Sequence, residues 1–354
     1  METKVIAIDV GYGNTKAVWK NGIDKLGRER WGEICFRSVA PLALVDEKSS
    51  GMSHSHNKVL LSINDRNYYA GPGASLGIES RALDPNYIES DEHEALLRAS
   101  LHFAMRDMNC VFEEIDMLVV GLPVLGFNAR SKRLEQIASQ PRIIPVPVAL
   151  QQKGHPEKIT VTAKQVKVLP QPYGALRYAA QHLPEDDEMF ADRALSMVID
   201  PGYRTFDWFV ANAMMPELKL SGSFDGGVSS ILRQVSHQIG HDHGTGSLEF
   251  DQVEEGLTRG RINLGYQVID TSPYQSTVLD AARKEVLAFL SRIDANKSRL
   301  SRVFLAGGGA HYYRQALQER LPGYDIQLLN NSVMSNARGY WLSGCDDCCD
   351  DFQD

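Results

Sequence analysis

Short apolar runs, separated by glycine, proline and charged residues, recur in a similar order in the two halves of this chain. Continuous apolar runs of strand length predict buried strands, and polar residues between two such runs predict a hairpin turn. The strands predicted in this way lie at 5–10, 17–20, 59–63, 67–70, 115–123, 196–200, 206–211 and 302–306, with the Asn64-Asp65 turn between the third and the fourth, and with weaker strand signals across 141–170, at 218–223 and at 325–329.

Helical spacing of apolar residues fills most of the intervals between these strands. The helices predicted in this way lie at 91–110, 129–139, 227–240 and 278–294, with further helices that begin at about 171, 311 and 333. Strands followed by helices, twice along the chain, predict two related α/β domains.

One phrase is nearly repeated in the two halves. An apolar run ends in an aspartate, a glycine turn with a threonine follows, and a second apolar run begins; the two copies start at Val5 and Met197. Each copy predicts a strand, a tight turn and a second strand, with Asp9 or Asp200 at the end of the first strand. Glycine turns let backbone amides approach phosphate oxygens, and carboxylates hold magnesium, mostly through its waters. If the two turns face each other, the pattern therefore predicts a site for a metal-bound polyphosphate.

Composition narrows the protein class. The 354 residues suit two domains, and 43% apolar with 23% charged residues is ordinary for a globular protein. The formal net charge of −8 argues against broad binding to nucleic acid or acidic membranes. We expect no membrane-spanning segment and no signal peptide. Five cysteines without a framework spacing predict a reducing, cytoplasmic location.

The first turn carries more polar groups than a hairpin needs. Backbone freedom, side-chain donors and one positive charge together suit a phosphate pocket, although a glycine turn between strands is also an ordinary hairpin. The candidate nucleotide-binding residues here are Asp9, Gly11, Tyr12, Gly13, Asn14, Thr15 and Lys16. The pattern differs from a Walker A loop, because Gly-x-x-x-x-Gly-Lys-Ser/Thr is absent.

The second half offers a matching set. We expect phosphate contacts from the second turn, and three glycines after a strand let a flat ligand lie against bare backbone. The candidates are Gly202, Tyr203, Arg204, Thr205, Gly226, Gly227, Gly307, Gly308 and Gly309. Arg204 could contact phosphate or point to solvent. Gln171, between a predicted strand and helix, could orient a water or simply lie at the surface.

Five segments in this order resemble the motifs of the actin, Hsp70 and sugar kinase superfamily of ATPases. The two turns look like its phosphate motifs, and 305–310 looks like its adenosine motif. The segments at 169–175 and 330–340 look like its connecting segments. The Gly-Asn-Thr-Lys turn and the closing Asn-Ala-Arg-Gly phrase are most similar to the bacterial plasmid segregation actins of the ParM/StbA family.

The resemblance implies an actin-like fold, with two RNase-H-like domains flanking a nucleotide cleft. The domains implied are 1–170 with a C-terminal helix at 334–344, and 171–333, followed by an acidic, disordered tail at 345–354. It also implies ATP or GTP with Mg²⁺, held by Asp9 and Asp200. Gln171 would position the attacking water, and Asp200 and Gln171 would be the catalytic residues. Plasmid actins are expected to carry glutamate where Gln171 stands.

The family implies a cytoplasmic filament for plasmid partition, whose partners are further copies of the chain and a DNA-bound adaptor at a centromere-like site. Direct nucleic acid or membrane binding is not expected. Two alternatives stay open at this point. One is a small-molecule kinase of the same superfamily, with Asp207 as its base, and the other is a nucleotide-binding scaffold without turnover.

Overall fold

The computed structural model describes residues 4–23, 29–43, 57–74, 86–293 and 299–350. The chain divides into two compact units. Unit 1 comprises Met1–Gln181 and Met334–Asp354, and unit 2 comprises His182–Val333.

Unit 1 is built on a mixed sheet whose strands run in the order β3-β2-β1-β6-β8-β7. Strand β1 is antiparallel to β2 and parallel to β6, and β6 is parallel to β8. The parallel strands place their carboxyl ends at one edge of the sheet. A separate hairpin, β4–β5, turns through Asn64 and Asp65, both with positive φ as a two-residue turn requires. The bounds are β1 Val5–Val10, β2 Asn14–Ile23, β3 Glu29–Arg37, β4 Val59–Ile63, β5 Arg66–Ala70, β6 Glu114–Leu122, β7 Arg142–Pro145 and β8 Lys158–Pro170.

The helices of unit 1 pack on and beside this sheet. Apolar residues of α1 enter two neighbouring cores, one with β1, β2 and β6 and one with β4 and β5. Ser90 caps α1 by accepting the backbone N–H of His93, and Asn109 ends it in the left-handed conformation. The bounds are α1 Asp91–Met108, α2 Phe127–Ala138, α3 Val148–Gln151, α4 Gln171–Ala180 and α9 Ser335–Asp350, with a 3-10 turn at Tyr87–Glu89.

Unit 2 repeats the central pattern of unit 1. Strand β9 is antiparallel to β10 and parallel to β15, and β15 is parallel to β16. The helices pack around one core that includes Phe206, Phe289 and Tyr313. The strands are β9 Leu195–Pro201, β10 Thr205–Asn212, β11 Met215–Pro216, β12 Gly222–Asp225, β13 Arg261–Asn263, β14 Val268–Asp270, β15 Leu300–Leu305 and β16 Ile326–Leu328. The helices are α5 Val228–His243, α6 Phe250–Arg259, α7 Gln275–Ile293 and α8 Ala310–Arg320, with 3-10 turns at Glu188–Phe190 and Ser272–Tyr274.

The boundary between the units differs from the one expected at residue 170. Helix α4 belongs to unit 1 because it packs closely on α9. A Cβ at Gly339 would overlap the carbonyl oxygen of Gly174, and Asn336 Oδ1 accepts the Ala175 N–H at 3.2 Å. Small residues therefore let the two helix backbones meet, and the first segment of unit 1 ends at Gln181 rather than at Pro170.

The tail at 345–354 was expected to be disordered, but its first part is helical. Helix α9 continues to Asp350, and residues 351–354 lie outside the described residues. Asp346 pairs with Arg177 of α4, and Asp347 pairs with Lys167 of β8. Cys348 is buried. The acidic composition suggested disorder, but basic partners distant in sequence neutralise these two carboxylates.

Other differences are local. Strand β3 and helix α6 were not predicted. A strand was expected at 218–223, but residues 218–220 form a turn and the strand, β12, begins at Gly222. Among the described residues we find no helix whose length and apolar character would let it span a lipid bilayer.

Candidate functional site

The turn between β1 and β2 places a charged pair at the end of the central strand. Asp9 and Lys16 are opposite each other in the antiparallel ladder, so their side chains share one face. Lys16 Nζ lies 2.9 Å from Asp9 Oδ2, and Asp9 has no exposed surface. A buried carboxylate costs free energy unless it is paired, and Lys16 supplies the pairing. Gly11 closes the turn, because its N–H donates to the Asn14 carbonyl at 3.2 Å.

Gln171 meets the other oxygen of the same carboxylate. It is the first residue of α4, directly after β8 ends at Pro170. Its Nε2 donates to Asp9 Oδ1 at 2.8 Å. Because β1, β6 and β8 are parallel neighbours, the ends of β1 and β8 lie at the same edge of the sheet. The structure therefore brings Asp9, Lys16 and Gln171 together.

Ser38, the residue that follows β3, contacts Gly13 and Thr15 around the first turn. The Ser38 N–H donates to the Gly13 carbonyl at 3.0 Å, and the hydroxyls of Thr15 and Ser38 lie 2.9 Å apart. In a planar trans peptide the N–H points opposite to the preceding carbonyl, so the Asn14 N–H points away from Ser38. The Tyr12 ring stacks on Tyr87, with ring centroids 5.4 Å apart.

The turn between β9 and β10 has the same register. Asp200 lies opposite Asp207, as Asp9 lies opposite Lys16. The Gly202 N–H donates to the Thr205 carbonyl at 2.8 Å, the same closing bond as in the first turn. The two units thus share one hairpin geometry, with an acid where unit 1 has a lysine. Asp207 is buried, and its Oδ2 accepts the Thr205 hydroxyl at 2.5 Å.

The start of α5 fixes the orientation of this second turn. Val228 and Ser229 donate their N–H groups to the carbonyls of Gly202 and Tyr203, at 3.0 and 2.8 Å. The N–H groups of Tyr203 and Arg204 therefore point away from α5. Adjacent amides with this shared direction form a concavity suited to an anion.

Two glycine turns lie against this hairpin because they lack side chains. A Cβ at Gly307, whose φ is +79°, would overlap Asp200 Oδ1. A Cβ at Gly309 would lie 2.5 Å from the Pro201 carbonyl oxygen, and one at Gly227 would lie 2.5 Å from the Gly202 carbonyl oxygen. At Gly308, in contrast, no atom of the described residues, apart from its chain neighbours, lies within 4 Å of the position of a Cβ. Bare backbone thus lies against Asp200 at Gly307 and against the following two residues at Gly309 and Gly227.

Family models match both halves of the chain. The model described as the N-terminal domain of actin-like proteins matches residues 7–174. A model of the C-terminal domain of the archaeal MreB-like actin homologue matches residues 198–319. The chain belongs to the actin-like superfamily. A search of curated protein sequences finds no match.

Solved structures of other actin-like proteins have the same fold. The archaeal actin homologue Ta0583 is 21% identical, with a TM-score of 0.74 over 97% of this chain and 100% of its own. A second Ta0583 structure, a complex with ADP, has a TM-score of 0.71 at 20% identity over 97% of this chain and 100% of its own. A ParM protein in a 15-stranded filament from Clostridium botulinum is 20% identical, with a TM-score of 0.71 over 98% of this chain and 100% of its own. These comparisons confirm the expected actin-like fold.

Each unit, taken by itself, offers a carboxylate whose chemistry suits a hydrated magnesium ion. Asp9 and Asp200 are carboxylates at strand ends, and oxygen ligands are those that Mg²⁺ prefers. Within the described ranges no three His, Cys, Asp or Glu side chains converge as a metal cage. Mg²⁺ commonly keeps several waters and needs only one or two carboxylates.

Three other predicted residues, Tyr203, Arg204 and Gly226, contact residues of unit 2. Arg204 directs its Nε to Asp225 Oδ1 at 3.3 Å, and the Tyr203 ring packs against the core of unit 2. The Gly226 N–H donates to the Arg204 carbonyl at 2.8 Å.

Sequence reasoning did not identify Ser38, which contacts the first turn, or Glu285, which contacts Gly227 just before α5. Their contacts join segments far apart in the chain, and neither residue carries a motif.

Proposed function

We propose that this actin-like protein binds ATP or GTP with Mg²⁺, hydrolyses it, and assembles into filaments. The observation that carries the proposal is the matched pair of hairpin turns. Each turn has a buried strand-end aspartate, a glycine that closes the turn, and a cross-strand partner in the same register. The complex of Ta0583 with ADP and the ParM filament support nucleotide binding and assembly.

In this proposal the residues of the chain bind and orient the nucleotide. The backbone amides of both turns and the Lys16 ammonium would bind phosphate oxygens. Asp9 and Asp200 would hold the magnesium ion, which offsets the negative charge of the phosphates. The Gly307–Gly309 backbone would accept the nucleoside.

Gln171 would position the attacking water. Its Nε2 donates to Asp9, which fixes the plane of the amide. The carbonyl oxygen of the same amide is then held as an acceptor for a water proton. Orienting a water with a glutamine is an established way to promote attack on a terminal phosphate.

Filament assembly and DNA segregation form the wider part of the proposal. Further copies of the chain would be the main partners, with a DNA-bound adaptor at a centromere-like site, and hydrolysis would weaken the contacts between subunits. We propose a cytoplasmic setting; Cys35 and Cys110 are thiols rather than disulfides, in keeping with a reducing compartment.

A phosphate-release assay run beside light scattering tests the proposal. An actin-like filament protein scatters light when Mg·ATP or Mg·GTP is added and then releases phosphate. A kinase would release no phosphate without its second substrate, and a scaffold would neither hydrolyse nor scatter. Phosphate release without scattering would contradict the assembly part of the proposal alone.

A further inference from the structure

Glu285 lies on α7 and meets two other elements of unit 2 with one oxygen. Its Oε2 accepts the Gly227 N–H at 2.8 Å and the Tyr313 hydroxyl at 2.6 Å. Burial raises the pKa of the Glu285 carboxyl. A half-buried carboxylate on a core-facing helix is costly, and these hydrogen bonds compensate it.

The contact with Gly227 places a carboxylate at the N-terminal end of α5. Gly227 is the N-cap of α5 and has no side chain with which to cap the helix. The first N–H groups of a helix lack internal partners and favour a nearby negative charge. Glu285 provides this charge from another helix. Its position also explains Gly226, because a Cβ there would lie 2.9 Å from Glu285 Oε2.

The contact with Tyr313 connects the same carboxylate to α8, which follows the Gly307–Gly309 turn. The buried Tyr313 ring packs edge-on against Phe206, with centroids 5.2 Å apart. Phe206 stands between Thr205 and Asp207 on β10. The Glu285–Tyr313 pair therefore lies against the hairpin, the start of α5 and α8.

We propose that Glu285 is a positioning residue for the nucleotide site, through the start of α5. The bonds from Val228 and Ser229 set the direction of the Tyr203 and Arg204 amides. Glu285 holds Gly227, the residue just before them, so its loss frees α5 to shift and misdirects those amides. The inference rests on the proposed function, because it assumes that the second turn binds phosphate.

The test measures the affinity of an N-methylanthraniloyl ADP with Mg²⁺ for matched variants, beside their melting temperatures. Glu285→Ala is expected to weaken binding about 10-fold or more, as for loss of a hydrogen bond to a charged group. Glu285→Gln keeps an acceptor oxygen for both donors and is expected to bind within about 3-fold of the wild type. Glu319→Ala removes an exposed carboxylate that pairs with Arg283 of α7, and is expected to leave binding unchanged.

Phe289→Leu separates positioning from stability. It loosens the same helix in the core but leaves the Gly227 contact intact, so it is expected to lower the melting temperature without weakening ADP binding. If Glu285→Ala weakens binding no more than Phe289→Leu, measured well below both melting temperatures, the inference is overturned.

Two further arms complete the test. If Glu285→Ala does not fold, Glu285→Asp decides, because its shorter side chain keeps the charge but withdraws the carboxylate from the Gly227 N–H. ADP binding about 10-fold weaker is expected, and unchanged binding overturns the inference. If the wild type does not bind ADP, the proposed function fails together with this role. Normal wild-type binding with an unaffected Glu285→Ala variant rejects the Glu285 role only.

Discussion

Gln171 Nε2 and Asp9 Oδ1 lie 2.8 Å apart, although the two residues are separated by most of unit 1 in sequence. With Lys16 on the other oxygen, the Asp9 carboxylate is held on both sides. The amide that we propose as the water-positioning group is therefore oriented by the carboxylate that we propose for the metal.

Replacing Gln171 by alanine should slow hydrolysis more than it weakens nucleotide binding. Losing one positioning group commonly costs on the order of 10²-fold in rate or more. Single-turnover hydrolysis and nucleotide affinity, measured on the same preparation, check this. Gln140→Ala is the matched control, because the exposed Gln140 amide donates to the nearby Gln136 carbonyl. An equal loss of affinity and rate would make Gln171 a binding or structural residue.

Asp200→Asn should abolish Mg²⁺-dependent hydrolysis while the protein stays folded. Asparagine keeps the shape of this buried side chain but removes the charge that would hold the ion; we expect a loss on the order of 10²-fold or more. Asp280→Asn, in an exposed residue of α7, controls for charge. Wild-type turnover by a folded Asp200→Asn variant would exclude the metal-binding role.

The neighbouring glycines 307 and 308 should respond differently to alanine. Gly307→Ala strains a left-handed residue and forces a Cβ into Asp200, and should cost roughly 1–3 kcal/mol of unfolding free energy or more. Gly308→Ala meets no atoms and should cost little. Gly308→Leu should instead weaken nucleotide binding, because its side chain would fill the space proposed for the nucleoside. Denaturant titrations measure the stability of the two alanine variants, and ADP affinity measures the effect of Gly308→Leu. Equal stability of the two alanine variants would contradict the packing described around Asp200.

His93 should make unit 1 sensitive to acid. Burial, and secondarily the charge of Arg142, lowers its pKa from 6.5 to about 3. The folded state thus binds fewer protons than the unfolded state between these values, so stability falls as pH drops from about 6.5 toward 3, by at most about 1.4 kcal/mol per pH unit. His93→Phe should flatten this slope, whereas the exposed His243→Gln should not. Urea titrations between pH 4 and 7 measure the slope, and identical slopes for the wild type and His93→Phe would reject the prediction.

Deleting residues 345–354 should destabilise unit 1. The deletion removes the Asp346–Arg177 and Asp347–Lys167 ion pairs. It also removes the buried Cys348 side chain and so exposes the surface against which that side chain packs. Both pairs are partly exposed, so together with the lost burial we expect roughly 1–3 kcal/mol. The ionic part should shrink at high salt. A melting temperature equal to that of the full chain at low salt would show that the end of α9 contributes nothing.

The two hairpins, the helix at 91–108 and the order of the motifs could be predicted because each depends on local patterns. Apolar runs and glycine turns specify β1–β2 and β9–β10 without any distant partner. Other features depend on contacts between remote segments. Lys167 and Arg177 pair with two aspartates of α9 beyond Gly344, and Glu285 on α7 accepts the N–H of the residue before α5. No local pattern carries these contacts.

The most direct test of the central claim is electron microscopy of the purified chain with and without Mg²⁺ and ATP or GTP. The account predicts filaments with at least one Mg·nucleotide and none without nucleotide. The absence of filaments with both nucleotides, over a concentration range in which each is shown to bind, would contradict it. Filaments that form equally well without nucleotide would contradict it too.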